Sequence, residues 1–128
     1  MSFNNIMSMF GGGGAGAGYE NISAGSAVQF HGDDDCVFVD VRSHGEIMGG
    51  TIKGAIAAPL QEFANHAKAD GSGSLPAASE KKRIFLVCAS GARSSGAARQ
   101  MAAMGYENVA NLSGGLGAWV RAGGPVQR

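Results

Sequence analysis

The chain has 128 residues, 45% of them hydrophobic, with ten Lys and Arg against ten Asp and Glu. That suffices for one domain with its own core and argues against two, while balanced charge and only 16% charged residues lack the basic surface that nucleic acid or an anionic membrane demands. Two cysteines, Cys36 and Cys88, and three scattered histidines supply neither a disulfide framework nor a zinc-type spacing, so no metal is expected, a reducing compartment fits, and the partner should be a small molecule or a protein.

Residues 1–18 read as a tail. Phe3, Ile6, Met7 and Phe10 recur at helical spacing and would let the first ten residues dock as an amphipathic turn, a frayed end being the simpler reading. Residues 11–18, GGGGAGAG, have the composition of a flexible linker, which places the domain at 19–128. The formal G-x-G-x-x-G at Gly11, Gly13 and Gly16 follows no apolar strand and opens no helix, so it does not signal a dinucleotide. No Lys or Arg precedes Arg42, against a secretory or mitochondrial leader. No run approaches the ~18 apolar residues of a membrane span. The expected location is the cytoplasm.

From Tyr19 onward, short apolar runs alternate with 3.6-residue periodicity, the pattern of an α/β domain with a parallel sheet. Strands are expected at 36–41 and 84–88, both nearly continuous apolar runs, and more weakly at 21–22, 55–58 and 109–112. Ser23 should cap a helix running to about Phe30 and ended by Gly32. Leu60, Phe63, Ala64 and Ala67 mark a second helix that stops before Asp70, and 71–80 reads as a loop. A third should run from Ser94 to Met104 with Ala97, Ala98, Met101 and Ala102 buried, and a last from Leu116 to Arg121 with Trp119 in the core.

The segment with chemistry in it is Ile84-Phe85-Leu86-Val87-Cys88-Ala89-Ser90-Gly91-Ala92-Arg93-Ser94. A strand, a small-residue loop and a helix start put Cys88 at the carboxyl edge of the sheet, where open α/β folds bind ligands. Gly91 tolerates positive φ, so the amides of 89–94 can converge on one point. The helix N-terminus adds roughly half a positive charge and Arg93 a full one. An anion above the loop and the Cys88 thiolate are both stabilised, drawing the thiol below its ordinary ~8.5. Cys88 is therefore expected to be a nucleophile beside an anion cradle.

These residues, together with Phe38-Val39-Asp40-Val41-Arg42, Thr51-Ile52-Lys53-Gly54-Ala55-Ile56, Gly105-Tyr106-Glu107-Asn108-Val109 and Leu112-Ser113-Gly114-Gly115-Leu116-Gly117-Ala118-Trp119, resemble a single-domain rhodanese, or thiosulfate sulfurtransferase, over roughly 19–125. The resemblance implies a five-stranded parallel sheet flanked by helices on both faces and a reaction in which Cys88 becomes a persulfide. It further implies that the main chain of 89–93 is the cradle, with Arg93 holding the donor or the persulfide. Two departures stand out. Gly50-Thr51-Ile52 replaces the family's common Gly-His-Ile, a position that reads as structural, and Ala89 and Ser90 are neutral where thiosulfate-preferring members often carry a basic residue. Modest thiosulfate affinity is the consequence.

The double displacement so implied takes sulfane sulfur from thiosulfate or a persulfide donor to a thiol or cyanide and needs no cofactor. Two alternatives remain. One is a persulfide carrier that relays sulfur to a protein partner with little thiosulfate turnover; the other is arsenate or phosphate chemistry. The spacing Cys88-x4-Arg93 is one residue shorter than the Cys-x5-Arg ring of tyrosine-phosphatase-like and some arsenate-reducing relatives, and the loop contains no Asp, so Asp40 would have to serve as general acid from another strand. Sulfur is the favoured substrate. Asp40 and Arg42 lie on the same edge as Cys88 and are candidates for orienting the loop, the plainer reading being that they pin the next helix. Cys36 begins its strand while Cys88 ends its own, on the order of 16 Å away at ~3.3 Å per residue, which forbids a disulfide and makes Cys36 a small core residue. His31 at a helix end, His44 in a loop and His66 on a helix read as solvated surface groups, and Asp33-Asp34-Asp35 as a solvated turn.

Overall fold

The computed structural model describes residues 18–128; the amphipathic turn and the glycine linker expected before them lie outside the described residues. The strands are β1 (Glu20–Ile22), β2 (Cys36–Asp40), β3 (Thr51–Ile52), β4 (Ile56–Ala57), β5 (Arg83–Val87), β6 (Val109–Leu112) and β7 (Val126–Gln127). Five of them form one sheet in the order β1-β6-β5-β2-β4, every pair parallel. The expected α/β architecture is thus present. The register sets Asp40 beside Val87, so the chain leaves β2 and β5 at the same level of the carboxyl edge.

The helices are α1 (Ala24–Val28), α2 (His44–Met48), α3 (Phe63–His66), α4 (Ala92–Ala103) and α5 (Gly115–Arg121), with 3-10 turns at Leu60–Glu62 and Ala78–Glu80. They cover both faces. Ala97, Ala98 and Met101 of α4 and Phe63 of α3 pack with Val39, Ile84 and Leu86 on one side. Ala24 and Ala27 of α1 and Trp119 of α5 pack with Phe38, Phe85 and Val87 on the other. The alternation Phe38/Val39 and Phe85/Leu86 sends neighbours to opposite faces, as strand geometry requires, and the Phe38 and Phe85 rings stack at 4.7 Å. Fully buried side chains such as Phe85, Val39 and Leu86 contribute about 1.5–3 kcal/mol each.

Several expectations need correction. Residues 43–48 are not a loop: Ser43 Oγ accepts the Glu46 N–H at 3.2 Å while the Glu46 carboxylate accepts the Ser43 N–H at 3.1 Å, a capping box that starts α2 at His44. The helix expected over 60–67 is a 3-10 turn followed by four α-helical residues, because the chain folds back at once and the Leu75 N–H bonds the His66 carbonyl. Ala102 is only half-buried, and α4 begins two residues earlier than expected. The antiparallel pair β3–β7 was not anticipated. Cys36 is half-buried at the strand start, and both cysteines are free. No helix among the described residues is long and apolar enough to cross a membrane.

Candidate active site

An α-helix begins with backbone N–H groups that have no partner inside it, and a Ser, Thr, Asp or Asn oxygen usually accepts from them. At α4 the acceptor is sulfur. Gly91, at φ +102°, turns the chain without a side-chain cap, and Cys88 Sγ accepts the N–H of Gly91 at 3.0 Å and that of Ser94 at 3.4 Å. The Ser94 hydroxyl stands 3.4 Å from the same sulfur. Cys88 is fully buried while Ala89 and Ser90 above it are exposed. Burial pushes the thiol pKa up, but the Ser94 hydroxyl and the amides of Ser94, Ser90 and Gly91 outweigh it, and the net direction is down.

Behind the loop, Ser94 Oγ makes a short hydrogen bond to Asn111 Oδ1, and Asn111 Nδ2 donates to Asn21 Oδ1 at 3.0 Å and to the Gly91 carbonyl at 3.2 Å. The Ser94 hydroxyl has one hydrogen and three acceptors in reach, Asn111 Oδ1, the Gly91 carbonyl and the sulfur, so it can serve Asn111 beside a protonated thiol and turn to the sulfur when the thiol ionises. Neither asparagine was foreseen. Part of their signal was legible: Asn111 is the one polar residue of an otherwise apolar β6, and Asn21 is its register partner in β1. From the next crossover, Gly115 presses directly on the loop. A Cβ there would stand 2.3 Å from the Ala89 carbonyl oxygen and 2.4 Å from that of Cys88, and the Leu116 N–H holds the Cys88 carbonyl at 2.8 Å.

Of the amides of 89–94 expected to converge, those of Ser90, Gly91 and Ser94 turn to the Cys88 sulfur, and the structure adds Glu46 beside the loop, which spacing could not reveal. Arg93 meets the Glu46 carboxylate with both terminal nitrogens, at 2.8 and 3.0 Å. The Arg93 guanidinium, followed by the Ser43 N–H, holds Glu46 down to about 2, and Glu46 raises Arg93 in turn. The loop's one charged side chain thus already has a counter-ion. Asp40 and Arg42 form a buried pair at 2.8 Å. Asp40 also accepts from Thr51 Oγ1 at 2.7 Å, and Arg42 donates to the Gly50 carbonyl at 2.5 Å, so the pair ties the end of β2 to β3.

His44 is exposed, as expected, whereas His31 and His66 are half-buried and better engaged than expected. His31 packs between Phe38 and Trp119 with Nε2 2.7 Å from the Lys53 carbonyl. His44 and His66 both bond Glu62. Asp33 to Asp35 are exposed, as expected, and the described residues hold no cluster of His, Cys, Asp or Glu fit for a metal.

The rhodanese-like domain family model matches residues 23–122: the chain belongs to the rhodanese-like family. It is 33% identical over 93 residues to a sulfurtransferase of Allochromatium vinosum, covering 73% of this chain and 79% of that one. It is 31% identical over 87 residues to a tRNA uridine(34) hydroxylase of Albidiferax ferrireducens, covering 66% of this chain but only 27% of that protein. A solved structure from Rhodopseudomonas palustris, described as a protein of unknown function and possible tyrosine phosphatase, superposes with a TM-score of 0.74 at 27% identity, covering 99% of this chain and 95% of that one.

Proposed function

We propose that the protein is a sulfurtransferase that carries sulfane sulfur on Cys88. The observation that carries this is the sulfur at a helix N-terminus, accepting backbone N–H bonds from Gly91 and Ser94. A thiolate held by fixed amides is a nucleophile at neutral pH, and the same dipoles stabilise charge that arrives on a second sulfur. In the first displacement the Cys88 thiolate attacks the outer sulfur of thiosulfate or a persulfide donor. The donor's S–S or S–sulfonate bond breaks, and sulfite or a thiolate leaves with the electron pair. In the second, a thiol or cyanide attacks the outer sulfur of the Cys88 persulfide and the pair returns to Cys88. Thiol chemistry alone balances both steps. Arg93, exposed at the start of α4 and shared with Glu46, is the loop's one cation for an anionic donor. The similarity to the Allochromatium sulfurtransferase supports the reading.

Thiocyanate formed from thiosulfate and cyanide, with a mass gain of one sulfur mapped to Cys88, is the expected result, and Cys88→Ser should abolish both. No sulfur on Cys88 with either donor type would overturn the proposal. A second reading, a persulfide carrier for a protein acceptor, is favoured by the neutral Ala89 and Ser90 and by the pairing of Arg93 with Glu46, which together leave little free positive charge for a dianion. Persulfide on Cys88 with negligible thiocyanate turnover would select it. For arsenate or phosphate ester chemistry the ring between Cys88 and Arg93 is one residue short, and no hydrolysis of an aryl phosphate is expected.

A further inference from the structure

Beside the loop lies a cleft of about 260 Å3 whose walls include Val41, Pro59 and Leu60 and whose rim carries His44, Glu62 and Arg93. Val41, on its wall, donates its N–H to the carbonyl of Val87, the residue before Cys88, at 3.0 Å, and Arg93, on its rim, closes the Cys88 loop, so the cleft lies at the same sheet edge as the sulfur. Leu60 is 40% exposed in it, an apolar surface for the carbon body of a small molecule. The cleft is near the lower limit for a small-ligand site, about 300 Å3, and suits a low-molecular-weight compound rather than a protein segment.

The polar rim is ordered. His44 Nε2 lies 2.7 Å from Glu62 Oε2, and the other carboxylate oxygen lies 3.2 Å from His66 Nε2, whose own Nδ1 is 2.7 Å from Ser74 Oγ. Hydrogen bonds from the two histidines, His44 the stronger, draw Glu62 below the usual carboxylate range. An ionised carboxylate only accepts, so Nε2 of His44 carries the hydrogen of the pair, and whenever the ring is neutral its lone pair lies on Nδ1. A carboxylate that fixes a histidine tautomer in this way prepares the opposite nitrogen as a base. The other charged groups around His44 are Glu46 on its own helix and Arg93 from α4, which are paired with each other.

We propose that this cleft receives the sulfur acceptor, a low-molecular-weight thiol, and that His44 Nδ1 removes its proton as it attacks the Cys88 persulfide. The inference rests on the sulfurtransferase reading above. The acceptor's S–H proton passes to Nδ1, and its sulfur forms a bond to the outer sulfur of the persulfide. The Cys88 S–S bond breaks, and the electron pair returns to Cys88 as a thiolate held by the Gly91 and Ser94 amides. Nothing is oxidised or reduced overall. Glu62 is a positioning residue, acting only through His44.

The test compares single-turnover discharge of the persulfide-loaded chain to glutathione, which arrives with an S–H, and to sulfite, which attacks as its unprotonated dianion. Near neutral pH a thiol of ordinary pKa, about 8.5, is mostly protonated. There the glutathione-to-sulfite rate ratio should fall by roughly a hundredfold or more in His44→Gln, the low end for a general base, and less in Glu62→Gln. The deficit should close as pH rises past the thiol pKa. An unchanged ratio in His44→Gln, or a deficit equal at every pH, overturns the assignment of His44 while leaving the persulfide chemistry standing. Failure of the unsubstituted chain to hold sulfur on Cys88 from any donor overturns the sulfurtransferase reading, and this one with it.

Discussion

Two cysteines of one chain move in opposite directions for reasons a few ångströms across. At Cys36, burial and the neighbouring Asp33 carboxylate push the thiol up to about 11, and it behaves as a small apolar side chain. At Cys88 burial acts in the same sense, and hydrogen-bond donors reverse it. Removing one donor therefore exposes the balance. In Ser94→Ala the sulfur keeps its amides but loses the hydroxyl at 3.4 Å. The pH midpoint of Cys88 alkylation by iodoacetamide should move upward, and the rate near neutral pH should drop by about threefold, the effect of one long, weak charge-assisted bond. Unchanged alkylation kinetics would show that the amides alone set the thiol. At this scale the sulfur at the helix start was legible, because an apolar run followed by a small-residue loop places Cys88 there. Glu46 was not: it stands 47 residues from Arg93, and no local pattern links them.

Between elements, the decisive contact is the wedge of the β6–α5 crossover against the β5–α4 loop. Gly115→Ala would drive a methyl group into the Ala89 and Cys88 carbonyl oxygens, at 2.3 and 2.4 Å, from a backbone at φ +65°. Backbone cannot yield cheaply there, so a loss of several kcal/mol is expected, visible as a lowered denaturant midpoint together with slower Cys88 alkylation. Gly91→Ala meets nothing closer than 3.4 Å and should cost only the strain of a left-handed alanine, about 1–2 kcal/mol. Equal losses at the two positions would contradict this account. The long elements were legible from their apolar runs, β2 and β5 to within a residue at their carboxyl ends. The five-residue α2 was missed because none of its side chains is buried, leaving no periodicity, although the Ser43-x-x-Glu46 signature was there. β3 and β7, two residues each, owe their pairing to the docked chain end, where the Trp119 Nε1–H bonds the Pro125 carbonyl at 3.0 Å; nothing in either dipeptide announces a strand.

For the molecule as a whole, the parallel sheet collects residues from four segments, around 21, 40–46, 88–94 and 111, at one edge. The alternation of periodicities gives the layered class, whereas the contacts across that edge depend on register and helix packing. The opposite edge carries Cys36 and a stability effect of defined sign. Its folded-state pKa, about 11, lies above the ordinary 9.0, so the folded chain keeps a proton that the unfolded chain gives up. The contribution is fully present below about pH 9 and is lost as the pH rises to about 11. Relative to Cys36→Ala, the unsubstituted protein should lose ground in denaturant midpoint across that window and nowhere below it. A difference constant with pH would refute the shift.

The close crossing of Gly115 over the Cys88–Ala89 peptide bears on how the proposed anionic donor would be met. With Gly115 above and Asn111 behind, the loop has no room to relax, so its N–H dipoles already point inward before anything binds. Solvent in bulk must reorient around each new charge; here that reorganisation was completed when the chain folded. Selection among guests then falls to size and charge at the doorway, with no closing motion required of the floor.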